Sequence, residues 1–161
     1  MTIAKREGLL AVRHANLSRQ EDLEAIARME IAANSELRPK FKFDFSDDGP
    51  FKKCVELIRN LGDNTKIVLA TLAEQSAGYI EYFLNERYRH IDGRMLFVYP
   101  EFRRLGVGSA LINARNEDAR LRGYNLIKTD ANPGAHPFLV KSGFVDFKPS
   151  EYDGRMVLSV K

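Results

Sequence analysis

The stretch Tyr99-Pro100-Glu101-Phe102-Arg103-Arg104-Leu105-Gly106-Val107-Gly108-Ser109-Ala110-Leu111 carries the most chemically suggestive spacing in the chain. A strand ends at a proline, two arginines follow, and two glycines one residue apart open a helix. The first N–H groups of a helix have no partner inside it and carry a partial positive charge, so such an opening suits an anion. Gly106 and Gly108 would let the backbone come close to a bulky phosphate and adopt positive φ, while Arg103 and Arg104 add charge. In physical terms this is a cradle for a pyrophosphate. The plain alternative is a tight strand-to-helix turn with two solvated arginines, and the stretch alone does not separate the two readings. Two other phosphate motifs are excluded. A dinucleotide fingerprint would need a third small residue where Leu111 stands, and a Walker loop needs Gly-Lys-Ser/Thr, which is absent.

The wider context separates them. Leu96-x-Val98-x-Pro100-x-Phe102-Arg103-Arg104-x-Gly106-x-Gly108 resembles the acetyl-CoA signature of the GNAT superfamily, Arg/Gln-x-x-Gly-x-Gly/Ala. Downstream, Asn132-x-x-Ala135-His136-x-Phe138 and Lys141-x-Gly143-Phe144 resemble the family's second segment, in which Asn-x-x-Ala precedes Tyr-x-Lys-x-Gly-Phe. The resemblance implies an N-acetyltransferase that moves an acetyl group from acetyl-CoA, as cosubstrate, to a primary amine by direct attack in a ternary complex. It implies that the pyrophosphate rests on backbone amides of Arg103, Arg104, Leu105, Gly106, Val107, Gly108 and Ser109. The pantetheine arm would lie like an added strand along Phe97, Val98 and Tyr99, where strands four and five splay apart. Asn132 would hydrogen-bond that arm and Phe138 would touch it; the plain readings are a loop amide serving local backbone and a core ring. The backbone N–H of Val98 or a neighbour is the expected oxyanion donor.

The chain departs from the family where protons move. The tyrosine that commonly protonates the leaving thiolate is replaced by Leu139, so the acid is another residue, water, or none. Tyr152, in the last turn, is one substitute, against its reading as an ordinary loop aromatic. Strand four has Arg94 and Met95 where relatives often carry an acid. Glu81 alternates with Tyr79 and Phe83, so its carboxylate would share a sheet face with aromatics and could deprotonate an ammonium, directly or through water; the alternative is an exposed strand charge. Asp130, at the same strand parity as Asn132, is the other candidate base. A coenzyme A-binding module without turnover is the alternative function.

The elements that must position these residues follow from periodicity. Leu9 to Arg13 reads as a first strand, and Ser18 with Glu21 has capping-box spacing for a helix carrying Leu23, Ile26 and Met29. A second helix opens at Asp48-Gly49-Pro50 with the stripe Phe51, Cys54, Val55, Ile58 and Leu61. Ile67–Ala73 and Gly78–Leu84 form a hairpin through Glu74-Gln75-Ser76, and Met95–Tyr99 gives a fourth strand. A helix from Gly106 presents Val107, Ala110, Leu111, Ala114 and Leu121 to one side, and Leu126–Thr129 follows as a strand parallel to the fourth. Pro137–Lys141 is a short helix; Phe144–Phe147 and Met156–Val160 are strands joined near Asp153-Gly154. The order β-α-α-β-β-β-α-β-α-β-β is that of an α/β fold with a mixed, mostly antiparallel central sheet flanked by helices.

Composition sets the outer bounds. With 161 residues, 44% of them hydrophobic and 29% charged, the chain suits one domain spanning residues 1–161. No apolar run reaches the length of a membrane span and no signal peptide opens the chain, so a cytoplasmic protein is expected. The net charge of +3 is spread among acids except around Arg103-Arg104 and from Arg115 to Arg122, which gives no reason to invoke nucleic acid. Cys54, the sole cysteine, reads as core, and His14, His90 and His136 lack ligand spacing, so no metal is expected. Expected partners are a small-molecule amine, an amino acid or a peptide acceptor, with a homodimer as a possible assembly. Phe41, Phe43 and Phe45 fall in the segment that shapes the acceptor cleft in the family, and Arg94 suggests an acceptor that carries a carboxylate.

Overall fold

The computed structural model describes residues 9–37, 49–147 and 154–160. Seven strands form one sheet: β1 (Leu10–His14), β2 (Thr65–Leu72), β3 (Gln75–Asn85), β4 (His90–Val98), β5 (Leu126–Asp130), β6 (Val145–Asp146) and β7 (Arg155–Ser159). Their spatial order is β1-β2-β3-β4-β5-β7-β6. All neighbours are antiparallel except β4 and β5, which run parallel through the crossover helix, as the strand-helix-strand spacing required. The helices are α1 (Gln20–Leu37), α2 (Gly49–Arg59), α3 (Val107–Leu121) and α4 (His136–Lys141), with a single 3-10 turn at Pro100–Phe102. Tyr152, Phe41, Phe43 and Phe45 lie outside the described residues.

The strands' period of two divides the core into two layers. Val68, Ala70, Ile80, Tyr82, Leu84, Ile91 and Ile127 face α3, where Val107, Leu111, Ile112 and Ala119 meet them. The intervening residues Ile67, Leu69, Tyr79 and Phe97 face α1 and α2, against Leu23, Ile26, Met29, Val55 and Ile58. The α3 stripe departs from expectation at two places. Leu121 is 79% exposed, while Arg115 is buried at 2%. The inward row of the helix runs through Val107, Leu111, Arg115 and Ala119, so a reading that followed apolar residues alone passed over the arginine.

Three further boundaries differ. β4 begins at His90 rather than Met95, because the ladder with β3 continues from Asn85↔His90 through a stretch whose own β signal is weak. The β2–β3 hairpin turns on Ala73 and Glu74, both at positive φ (50° and 66°), and not on Glu74-Gln75-Ser76. A two-residue loop matches strand twist best with both residues left-handed, and the pairing enforces this even without glycine. The entry to α1 is held by Asp22 instead of a Ser18–Glu21 box: its carboxylate accepts the Asn16 N–H at 2.8 Å and both Arg13 Nη donors at 2.7 Å. That bidentate pair ties β1 to α1 and holds the Asp22 carboxyl below its ordinary pKa.

Candidate active site

β4 and β5 stay paired only from Ile91↔Ile127 to Gly93↔Thr129. Immediately beyond, Glu81 pairs with Met95 and Tyr82 with Gly93, so Arg94 is an extra residue on β4. A bulge of this kind bends its strand and ends pairing, which opens the splay. β5 leans the other way: Asp130 pairs with Arg155 of β7, and the Ala131 N–H donates to Gly154 O at 2.6 Å. The Tyr99 N–H donates to Ala77 O of β3 at 3.0 Å. Backbone groups alternate sides along an antiparallel strand, so those of Leu96 and Val98 point into the gap. Phe97 and Tyr99 turn to the α1–α2 side and meet edge to face, their ring centroids 5.2 Å apart.

The gap leads to the start of α3. Gly106 is its N-cap at φ 84°, with no side-chain cap, and a Cβ there would meet nothing within 4 Å. The first helical bond runs from the Ala110 N–H to Gly106 O at 2.9 Å, which leaves the donors of Val107, Gly108 and Ser109 without helical partners. Arg104 is also left-handed, at φ 60°. Of the two glycines that could tolerate positive φ, only Gly106 adopts it. Gly108 is helical, and an added Cβ would stand 3.2 Å from Phe138 Cζ, close enough to make the ring shift. The two arginines diverge. Arg103 Nε donates to Val98 O at 2.9 Å and its Nη2 pairs with Glu36 at 2.5 Å, whereas Arg104 is exposed beside the helix start.

Asn132 keeps part of its plain reading. Its Oδ1 accepts the Ala135 N–H at 2.8 Å, shaping the turn into α4, and the side-chain NH2 stays available. Phe138 packs at the rim of the α3-side core, opposite Gly108. His136 Nε2 lies 2.8 Å from Asp146 Oδ1, tying α4 to β6. Leu139 is buried in the core beside Phe144.

The candidate bases do not come together. Glu81, its side chain 15% exposed, lines a cavity of about 660 Å³ between α1, α2 and β3, along with Glu30, Asn34, Cys54 and Leu57. Burial raises its carboxyl pKa, Glu30 raises it further, and Arg94, 3.9 Å away, opposes both. Arg94 also lies over the Phe83 ring at 5.1 Å. Cys54 on the same wall is pushed up to about 11, chiefly by burial, which keeps it a thiol. Asp130 is exposed and lines a separate cavity of about 260 Å³ with Asp92, Lys128 and Arg155.

A family model described as an acetyltransferase (GNAT) domain matches residues 42–158. The chain belongs to the GNAT acetyltransferase family. The PaiA N-acetyltransferase of Thermoplasma acidophilum, solved in complex with coenzyme A, superposes with a TM-score of 0.71 at 16% identity, over 93% of this chain and 98% of that one. The ribosomal-protein-S18-alanine N-acetyltransferase of Escherichia coli gives 0.68 at 17%, over 94% of each chain. Ard1 of Thermoplasma volcanium gives 0.67 at 22%, over 95% of this chain and 99% of that one. At these identities the likeness is one of fold. No curated protein matches the chain by sequence.

Within this GNAT fold, two groups beside the site were missed from sequence. Glu30 accepts the Tyr79 hydroxyl at 2.5 Å, and its position on the inward side of α1, next to Met29, was the available signal. Arg115 stands in the inward row of α3, an i+4 step from Leu111, and an arginine there is ordinarily read as solvated.

Proposed function

We propose that this GNAT chain transfers an acetyl group from acetyl-coenzyme A to an amine by direct attack, without a covalent enzyme intermediate. The observation that carries the reading is the open β4 edge at Leu96 and Val98 running up to an uncapped helix start at Gly106. An extended amide-containing arm fits the first and a pyrophosphate fits the second: the Val107, Gly108 and Ser109 donors have no helical partner, and no side chain at Gly106 fills the approach. Arg104 adds a cation there. The Asn132 amide and Phe138 flank the arm, and Arg103 braces Val98 against α1. The coenzyme A complex of PaiA supports the donor, and the printed activity of the S18-alanine enzyme supports an amine acceptor.

The donor supplies an activated acyl group as its thioester. Glu81, held above the ordinary carboxylate range, takes the ammonium proton directly or through one water, and the neutral nitrogen then attacks the carbonyl carbon. The N–H of Val98 or Leu96 donates to the carbonyl oxygen as charge gathers there. Arg94, directed at Glu81, tunes this base and leaves the acceptor's carboxylate, if it has one, to another group. Asp130 and Tyr152 remain secondary candidates. The acceptor is a small amine, an amino acid or a peptide end.

The test is a thermal shift with coenzyme A followed by thiol release with a panel of amines. Stabilisation and turnover are expected. Stabilisation without turnover on any amine would leave a binding module, a reading favoured by the missing hydroxyl at Leu139. No stabilisation would overturn the donor assignment.

A further inference from the structure

Arg115 is 2% exposed and forms no ion pair among the described residues. Its Nε has no hydrogen-bond partner, and its Nη2 reaches only Asn116 Oδ1 at 3.3 Å. The guanidinium lies over the Phe144 ring at 5.2 Å. Around it stand Tyr82 of β3, Gly93 of β4 and Thr129 of β5, and Tyr82 in turn is bonded to the helix's own Asp118. Asp118 is already committed, accepting from Arg122 Nε at 2.8 Å and from the Tyr82 hydroxyl at 2.9 Å. Burial lowers the Arg115 pKa to about 10, so it is still a cation at neutral pH. A buried charge without a counter-ion is costly, and apolar replacements usually serve stability better.

Its place explains why it would persist. A Cβ at Gly93 would stand 3.2 Å from Arg115 Nη1 and 2.9 Å from Thr129 Oγ1. Gly93 and Thr129 are the last paired residues before β4 and β5 part, so the cation sits at the closed end of the gap. Arg115 lies about two turns along α3 from Val107, on the same face. One helix therefore offers its free N–H donors at the open end and a guanidinium at the closed end. A donor anchored by its pyrophosphate at the first brings its sulfur toward the second.

We propose that Arg115 stabilises the departing coenzyme A thiolate, taking over electrostatically what a hydroxyl at Leu139 would do by proton transfer; this rests on the donor reading above. As the amine nitrogen forms its bond to the acyl carbon, the C–S bond breaks and its electron pair leaves on sulfur as thiolate. The first ammonium proton has gone to Glu81, the second leaves the nitrogen to water as the amide forms, and water protonates the thiolate later. The guanidinium meets the charge without giving up a proton.

The test is the ultraviolet titration of the thiol of bound coenzyme A in the parent, Arg115→Met and Arg115→Lys, with kcat and KM for acetyl-CoA. The parent should titrate the thiol about one pH unit or more below free coenzyme A, Arg115→Met should restore the free value, and Arg115→Lys should lie between. Arg115→Met should lower kcat about 10²-fold with little change in KM. It should fold at least as well as the parent, since an unpaired buried cation is removed. Equal thiol titration in parent and Arg115→Met overturns the proposal, as does an unchanged kcat. If Arg115→Met fails to fold, a thiol that titrates in Arg115→Lys below the free value supports the charge role, and one that titrates as in free solution overturns it. A parent that binds coenzyme A yet leaves its thiol unshifted sinks this proposal alone; a parent that binds none sinks the donor reading.

Discussion

The Tyr79 hydroxyl donates to Glu30 Oε1 at 2.5 Å, fastening the third strand to the first helix on the sheet face that carries Glu81. The carboxylate of Glu30 thereby stays inside the cavity and helps to hold Glu81 above its ordinary pKa, second only to burial. Glu30→Gln removes that contribution. The acidic limb of the kcat/KM profile should move to lower pH, and a pH series on parent and variant checks it.

Glu81→Gln should cost about 10²-fold or more in kcat while leaving coenzyme A affinity unchanged, measured by steady-state rates and calorimetry. Stability should move the other way. A carboxyl whose pKa is raised on folding binds its proton more tightly in the native state, so its contribution is complete below the unfolded pKa and is lost as pH rises through the folded one. At neutral pH the charged form is a net penalty. The neutral amide should therefore raise Tm at pH 7 and make little difference in acid.

At Gly108 the neighbour is an aromatic ring. Gly108→Val should displace Phe138, whose Cζ lies 3.2 Å from the Cβ position, and weaken coenzyme A binding about tenfold or more. The apo Tm should fall much less. Gly106→Ala meets no atom, but at φ 84° it should cost about 1 kcal/mol of stability, read from denaturant melts.

The two arginines should separate by salt. Arg104→Ala should lower coenzyme A affinity and flatten its dependence on ionic strength, because the residue acts as an exposed charge. Arg103→Ala should weaken binding with the salt slope largely kept, since its guanidinium is spent on Val98 O and Glu36. Isothermal titrations at low and high salt distinguish them.

Leu139→Tyr should raise kcat little in the parent if Arg115 already meets the thiolate, and substantially in Arg115→Met. The leucine is only 6% exposed, so the larger ring should cost about 1–3 kcal/mol of stability. Thiol-release rates in the two backgrounds decide it.

Much of this was legible because local signals and packing agree. Gly106 ends a strand-to-helix turn and Pro100 ends β4, so the helix start could be placed from sequence. The alternation of Tyr79, Glu81 and Phe83 placed Glu81 on a shared face, which the α1–α2 layer then covers. What was illegible depends on long-range pairing. The bulge at Arg94 exists only because β3 holds Met95 and Gly93 opposite successive residues, and nothing in Gly93-Arg94-Met95 announces it. The burial of Arg115 likewise follows from where α3 crosses the sheet. The basic run from Arg115 to Arg122 looked uniform, yet Arg120 and Arg122 pair with Glu117 and Asp118 at the surface while Arg115 points inward.

The contact between Arg103 Nε and Val98 O has a bearing on solubility. A splayed sheet is an interior edge, and unpaired strand groups invite an extended segment of another chain to add itself. Two features blunt that edge: the Val98 carbonyl already accepts from Arg103 Nε, and the ion pair with Glu36 holds that guanidinium in place. Protein purified without donor should thus stay dispersed at high concentration, whereas loss of Arg103 should leave a strand edge on which chains can associate.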